Sequence, residues 1–132
     1  MSTIFSKIVN GEIPCYKVAE DENYFAFLDI KPLAKGHTLV IPKKEVDYIF
    51  NLDDNTFSGL HLFSKKVAIA IEKVVKCKRI GTAVLGLEVP HTHIHLIPIN
   101  KISDINFANP KLSFSDEEFK EIAEKISQQV IL

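Results

Sequence analysis

Apolar residues recur along this chain with two different periods, and the changes of period divide it into elements. Ile4, Phe5, Ile8 and Val9 fall three and four apart, which predicts a short amphipathic helix over about residues 3–9, closed by Gly11 with Pro14 beyond. Tyr16–Glu20 and Asn23–Ile30 read as strands of a hairpin that turns at Glu20-Asp21-Glu22-Asn23, and in the second of them Phe25, Phe27 and Asp29 share one face. That face offers aromatic surface ending in a carboxylate. Lys31 to Gly36 is a turn, and His37 to Ile41 is a third strand stopped by Pro42. Period 3.6 then returns through Phe57, Leu60, Phe63, Val67, Ile71, Val74 and Val75, a long helix from Asp53 or Asp54 to Lys76 with acids at its start. Arg79–Leu85 and Val89–Ile97 are the fourth and fifth strands. A last helix opens with the capping-box pattern Ser115-Asp116-Glu117-Glu118 and continues on Phe119, Ile122, Ala123, Ile126 and Val130. Five strands connected mostly as hairpins or neighbours, with helices gathered on one side, predict an α+β domain around an antiparallel sheet. At 132 residues and 46% hydrophobic content, the chain is long enough for one domain with a substantial core and too short for two, so residues 1–132 are read as a single domain.

The most informative alternation is His91-Thr92-His93-Ile94-His95, with three of the five histidines in five residues. In an extended segment side chains two apart share a face, so the imidazoles point one way and Thr92, Ile94 and Leu96 the other. Pro90 before, Pro98 after and the β-branched neighbours favour that conformation. Adjacent members are then about 6.6 Å apart along the strand and the outer two about 13 Å. One metal cannot hold both outer rings at about 2.0–2.1 Å per bond. Two adjacent rings could bind zinc only with a third ligand from elsewhere. A nucleophilic site fits the row better: one imidazole attacks while its neighbours orient it, bind anionic oxygens and pass a proton to the leaving group. An unperturbed imidazole is mostly neutral at pH 7 and has a lone pair without needing a dedicated base. Crowding disfavours full protonation of the row and a bound phosphate favours it, so substrate binding itself can bring in the acid.

Charge and cysteine content narrow the classes further. Sixteen basic and seventeen acidic residues leave a formal charge of -1, so no overall field draws the chain to nucleic acid or anionic lipid, and any phosphate must be held locally. Lys73, Lys76, Lys78 and Arg79 are read as a solvated complement to the C-terminus of the long helix. His61, within that helix, is read as a boundary residue without chemistry. The first residues lack an apolar signal core and Val67–Ile71 is too short to span a bilayer, so a cytoplasmic location without membrane attachment is expected. Cys15 and Cys77 show no ligand spacing and are expected to be small buried residues.

The segment His91-Thr92-His93-Ile94-His95-Leu96-Ile97 resembles the His-x-His-x-His-x-x signature of the histidine triad (HIT) proteins. The likeness extends to Ile4-Phe5-Ser6-Lys7-Ile8-Val9 with Gly11-Glu12-Ile13-Pro14, to Ala26-Phe27-Leu28-Asp29-Ile30, and to Gly36-His37-Thr38-Leu39-Val40-Ile41-Pro42-Lys43-Lys44. Four blocks in family order cover about residues 3–98; residues 99–132 match nothing that can be carried over. The resemblance implies a HIT-like α+β fold and a homodimer that binds a purine nucleotide and cleaves nucleoside 5′-monophosphate conjugates, phosphoramidates or adenylates, through a nucleotidyl-histidine intermediate. It implies His93 as nucleophile, His95 at the phosphate and departing atom, His91 orienting the array and His37 supporting it. Ile4, Phe5, Ile8, Phe27 and Ile30 are implied as the base pocket and Asp29 as acceptor for ribose hydroxyls, although ordinary core is an equally available role for the apolar five. The alternatives are a dinucleoside polyphosphate hydrolase and a nucleotide-binding dimer with little turnover. Many relatives have Cys-x-x-Cys at the place of Thr3 and Ser6 and a histidine at the place of Glu45, together a structural zinc site; those ligands are absent here, so no such zinc is expected. No cofactor is expected either, and magnesium would accompany only a polyphosphate substrate. Gly86-Leu87-Glu88-Val89-Pro90 lacks the Asn and the Gln, Ser or Thr that commonly steady the α-phosphate. Glu88 beside an anion must point away, be protonated or face something cationic, and in the last case it would favour leaving groups that carry an amine.

Overall fold

The computed structural model describes residues 2–132. Helix α1 spans Ile4–Val9, with Thr3 as its N-cap accepting from the Ser6 N–H. Strands β1 (Lys17–Glu20) and β2 (Tyr24–Leu28) pair antiparallel, and their turn is held by Asp21 Oδ1, which accepts from Asn23 N (2.9 Å) and Tyr24 N (2.8 Å). Strand β3 (Thr38–Pro42) follows a turn in which Gly36 takes φ +89°, a conformation that disfavours any side chain. Helix α2 runs Asp54–Val74, capped by the Asp53 carboxylate on Thr56 N, and β4 (Arg79–Ala83) and β5 (Ile94–Ile99) complete a sheet in the order β1-β2-β3-β5-β4, antiparallel throughout. Helix α3 (Asp116–Gln129) begins with the capping box expected from Ser115 and Glu118. Among the described residues no helix is long and apolar enough to cross a membrane.

The fold is α+β with a five-stranded antiparallel sheet, as the sequence pattern predicts, but its helices do not all gather on one side. Alternate residues of the strands feed two separate cores. Tyr24, Ala26, Leu28, Val40, Ile94 and Leu96 pack with Leu60, Phe63, Val67 and Ile71 of α2 and with Phe119, Ile122 and Ile126 of α3. Phe25, Phe27, Leu39 and Ile41 point to the other face and pack with Phe5 of α1. The six-residue α1 is therefore a small second layer over the face that carries Asp29, His37 and the row.

The fifth strand begins later than the alternation predicts, at Ile94 instead of Val89, and it continues to Ile99. Its last partners are Val40 of β3 opposite Ile94 and Ala83 of β4 opposite His95, so residues before Ile94 have no neighbouring strand. They stay extended by other means: Thr92 N and Oγ1 both donate to Val46 O at 2.7 Å, and the His91 ring bonds Pro42 O at 2.8 Å. The alternation of faces survives while the ladder does not. Pro98 is accommodated inside β5 because β3 pairs no further than Leu96, which leaves only β4 beside it. Cys15 and Cys77 are half-buried, not buried: one borders the small second core, the other sits at the rim between α2 and β4. Lys73, Lys76, Lys78 and Arg79 all lie exposed to water.

Candidate active site

Four imidazoles meet where the ends of β3 and β5 pass under α1, and their hydrogen bonds fix which nitrogen carries each proton. His37 is buried, and its Nδ1 accepts from the Leu33 backbone N–H at 3.0 Å. A neutral ring that accepts at Nδ1 carries its hydrogen on Nε2, so His37 Nε2 donates to His95 Nδ1, 3.0 Å away. The same rule then places the hydrogen of His95 on Nε2, free to be offered elsewhere. His93 is set the opposite way: its Nδ1 donates to the His91 carbonyl at 2.8 Å, leaving the Nε2 lone pair bare. Rings His93 and His95 are 5.0 Å apart between centroids, closer than the strand spacing because they lean together. The site thus presents one basic nitrogen and one N–H side by side.

Burial favours the neutral form of His37, His95 and His91. The pKa of His37 is pushed down to about 3, first by desolvation and then by the charges of His95 and Lys111. His95 is lowered to about 4 by desolvation and then by His93, and His91 is lowered chiefly by desolvation. Asp29 Oδ2 lies 3.6 Å from His37 Nε2, too far for a hydrogen bond and opposite a neutral ring, so this is a contact and not an ion pair. The Asp29 carboxyl is raised, mainly by burial, while the Lys31 N–H on its Oδ1 (2.9 Å) works in the other direction.

His91 stands behind the reacting pair, fully buried, and acts through its backbone. Its Nε2 donates to Pro42 O and its Nδ1 accepts from the Thr3 hydroxyl at 2.8 Å. Glu45 Oε1 in turn accepts from Thr3 N (2.7 Å) and from Ser6 Oγ (2.6 Å). Thr3, Ser6 and Glu45, the positions at which the resemblance places zinc ligands in relatives, are here joined to His91 by hydrogen bonds. The donor set is hydroxyls and one carboxylate with a single imidazole, which suits zinc poorly. Asp29, His37 and His95 place a carboxylate oxygen and two ring nitrogens within 4.8 Å of one another, but the two nitrogens are already committed to each other.

Two cavities meet at the row. One, of about 290 Å³, is lined by Ile4, Phe5, Ile8, Phe27 and Ile30 and closes on Asp29, His93 and His95, so all six residues expected around a nucleotide lie together. Phe5 rests edge-on to His93 with centroids 5.0 Å apart. Phe5 and Phe27 also belong to the second core, and so serve packing and pocket at once. The other cavity, about 410 Å³, is the more polar of the two and is lined by Asp29, Lys31, His37, Glu88, His93, His95, Phe107 and Lys111, with Leu85 and Leu87 beside them. A larger hollow of 660 Å³ between Pro14–Lys17 and α3 contains none of the histidines. Glu88 is exposed on the rim shared by both site cavities. His61 is exposed, and it lines a third hollow, which His93 also reaches. Lys31, Phe107 and Lys111 have no counterpart in the sequence reading. The signal that could have found Phe107 is an isolated aromatic between turn formers in Asn106-Phe107-Ala108-Asn109-Pro110, and none marks Lys111.

An antiparallel sheet that delivers paired imidazoles between an apolar and a polar cavity defines a small α+β protein with a histidine-row site at the start of its last strand. The HIT domain family matches residues 10–102, and the chain belongs to that family. The adenosine 5′-monophosphoramidase of Schizosaccharomyces pombe is 39% identical over 133 residues, spanning 98% of this chain and 99% of that protein. An uncharacterized HIT-like protein of Borreliella burgdorferi is 39% identical over 135 residues, 96% of this chain and 97% of the other. A crystal structure of a Hit-like protein from Bartonella henselae superposes with a TM-score of 0.85 at 31% identity, covering 98% of this chain and 96% of that one.

Proposed function

We propose that the protein hydrolyses nucleoside 5′-monophosphate conjugates, phosphoramidates or adenylates of a purine nucleoside, through a nucleotide bound covalently to His93. The observation that carries this reading is the opposed protonation of the two adjacent rings, a lone pair on His93 Nε2 beside an N–H on His95 Nε2. Both donor patterns follow from fixed backbone groups, so they exist before substrate arrives. His93 Nε2 forms a bond to the α-phosphorus as the bond from phosphorus to the leaving nitrogen or oxygen breaks. Water then displaces His93, releasing the nucleoside monophosphate and returning one proton to solvent. The base occupies the apolar cavity behind Phe5 and Phe27, and Asp29 accepts from the ribose. A leaving nitrogen must take up a proton as it departs. His95 supplies it once the bound phosphate anion reverses the penalty that keeps the ring neutral in the free protein. No step requires a metal ligand from the chain.

A second reading, cleavage of dinucleoside polyphosphates, is supported by the neutral His95, because an anionic oxygen leaves with only a hydrogen bond and no proton. A binder with little turnover would keep the pocket without forming the adduct. We propose a cytoplasmic homodimer, and an exposed apolar surface supports the dimer: Phe50 is 70% and Leu87 90% exposed beside the third hollow, and Leu62 is an exposed leucine on α2. Sedimentation of native and Leu62→Asp protein checks the dimer, with a fall to monomer expected for the variant. The activity is tested by release of AMP from adenosine 5′-phosphoramidate. His93→Asn should lose at least ~1000-fold in kcat while AMP binding persists, because the side chain bonds to substrate only during reaction. Native-like turnover by that variant contradicts the proposal.

A further inference from the structure

The segment that follows β5 is anchored across the mouth of the polar cavity. Asp104 Oδ2 accepts from the N–H groups of Asn100 (2.8 Å) and Lys101 (3.0 Å), and Asn109 Nδ2 donates to Ser103 O at 2.7 Å. At the far end Leu112 N donates to Pro32 O at 2.8 Å, tying the segment to the turn between β2 and β3. Between these anchors the Phe107 ring stands edge-on to His95, 4.8 Å between centroids and inclined at 71°. Lys111 Nζ donates to the carbonyls of Phe107 (2.5 Å) and Asn109 (2.9 Å).

An ammonium has three donors. Two neutral carbonyls fix the position of this one without neutralising it, and leave its third N–H to give. Among the described residues no ion pair involves Lys111. Its charge is nevertheless directed at the site, since it lines the polar cavity with His93 and His95, adds to the lowering of the His37 pKa and partly offsets the burial that raises Asp29. The apolar cavity adjoins this one through the shared Asp29, Glu88, His93 and His95, so a nucleotide whose base is seated there brings its leaving group beside the cavity that Phe107 and Lys111 line.

We propose that Lys111 is the receptor for an anionic group, carboxylate or phosphate, carried by the leaving half of the substrate. The inference rests on the nucleotidyl-transfer reading above. As His93 Nε2 bonds to phosphorus, the leaving half departs with the electron pair of the broken bond, on nitrogen with a proton from His95 or on oxygen without one. The additional anion of that half meets the Lys111 ammonium throughout. Lys111 is thus a specificity residue supplied by the part of the chain that the family motifs do not reach.

The test compares native protein, Lys111→Met and Lys111→Arg on four substrates. Three are adenosine 5′-phosphoramidates whose leaving amines are ammonia, alaninamide and alanine with its free carboxylate, and the fourth is diadenosine tetraphosphate. Lys111→Met should lower kcat/KM by about tenfold or more for substrates with the added anion and leave the two uncharged ones within about twofold, with Lys111→Arg restoring much of the loss. A loss on the alanine conjugate alone assigns the anion to a carboxylate, and a loss on the tetraphosphate alone assigns it to phosphate. Equal effects on all four, or none, overturn the role of Lys111. Native protein that turns over none of them overturns the nucleotidyl-transfer reading instead. In that case binding still decides on Lys111: native protein should prefer ADP to AMP and Lys111→Met should not, and an unchanged preference refutes it.

Discussion

Thr3 joins three features of the site at a single side chain. Its hydroxyl donates to the buried His91 Nδ1, its oxygen caps α1 through Ser6 N, and its backbone N–H reaches Glu45. Thr3→Val removes the cap and leaves Nδ1 of a fully buried ring without a donor, each worth about 1–2 kcal/mol. A loss of about 2–4 kcal/mol in chemical denaturation is therefore expected. Thr3→Ser, which keeps the hydroxyl, should stay close to native. A Val variant of native stability would show that the bond to His91 is not made. The histidine row, Asp29 and the aromatic pocket were legible from spacing and resemblance, but Thr3 was legible only as a missing zinc ligand. Hydrogen bonds among Thr3, Ser6, Glu45 and His91 join positions up to 88 residues apart, and nothing in a local pattern encodes them. Tautomers are equally invisible in sequence, because Leu33 and Pro42 act on the rings through backbone atoms whose identity as residues is irrelevant.

Elements are set by period, and their ends by partners. The long helix and the last helix begin where Asp53 and Ser115 predict, since a cap is a local bond. The fifth strand misses its expected start by five residues, since pairing depends on where β3 and β4 end. Gly59 makes the same point inside α2. Helix propensity alone favours alanine there by about 1 kcal/mol. A Cβ at Gly59, however, would lie 2.0 Å from the Tyr24 hydroxyl, whose ring is buried against Phe63 and whose O–H donates to Thr56 O. Overpacking of about 1–3 kcal/mol outweighs the propensity, so Gly59→Ala should lower stability and shift the docking of α2 on β2. Thermal melts of the variant check the sign, and a higher Tm would mean that Tyr24 moves aside freely.

Across the whole molecule, acid sensitivity follows from burying neutral imidazoles. His37 and His95 titrate near 6.5 when unfolded and at about 3 and about 4 when folded, so between these values the unfolded chain binds more protons. Stability is complete above about pH 6.5 and falls as the pH drops toward 4. His37→Asn should flatten that decline, which melts from pH 7 to pH 4 would reveal; an unaltered slope would mean His37 is not the sensor. The α+β class and the antiparallel sheet were legible from period, whereas the second core and the position of α1 opposite α2 and α3 were not. A six-residue helix with apolar positions at 4, 5, 8 and 9 can cover either face, and only the strand register assigns Phe25, Phe27 and Leu39 to it. The segment 99–112 was likewise silent: no periodicity marks it, because its contacts are caps, carbonyls and one ring edge.

The covalent step is tested most directly by mass spectrometry of the protein mixed with adenosine 5′-phosphoramidate, quenched in alkali at early times and digested. The expected result is an adenylyl group on the peptide that contains His91–His95, mapped to His93, decaying as AMP appears and absent from His93→Asn. Steady release of AMP with no adduct, or with the group on another side chain, would contradict nucleophilic attack by His93.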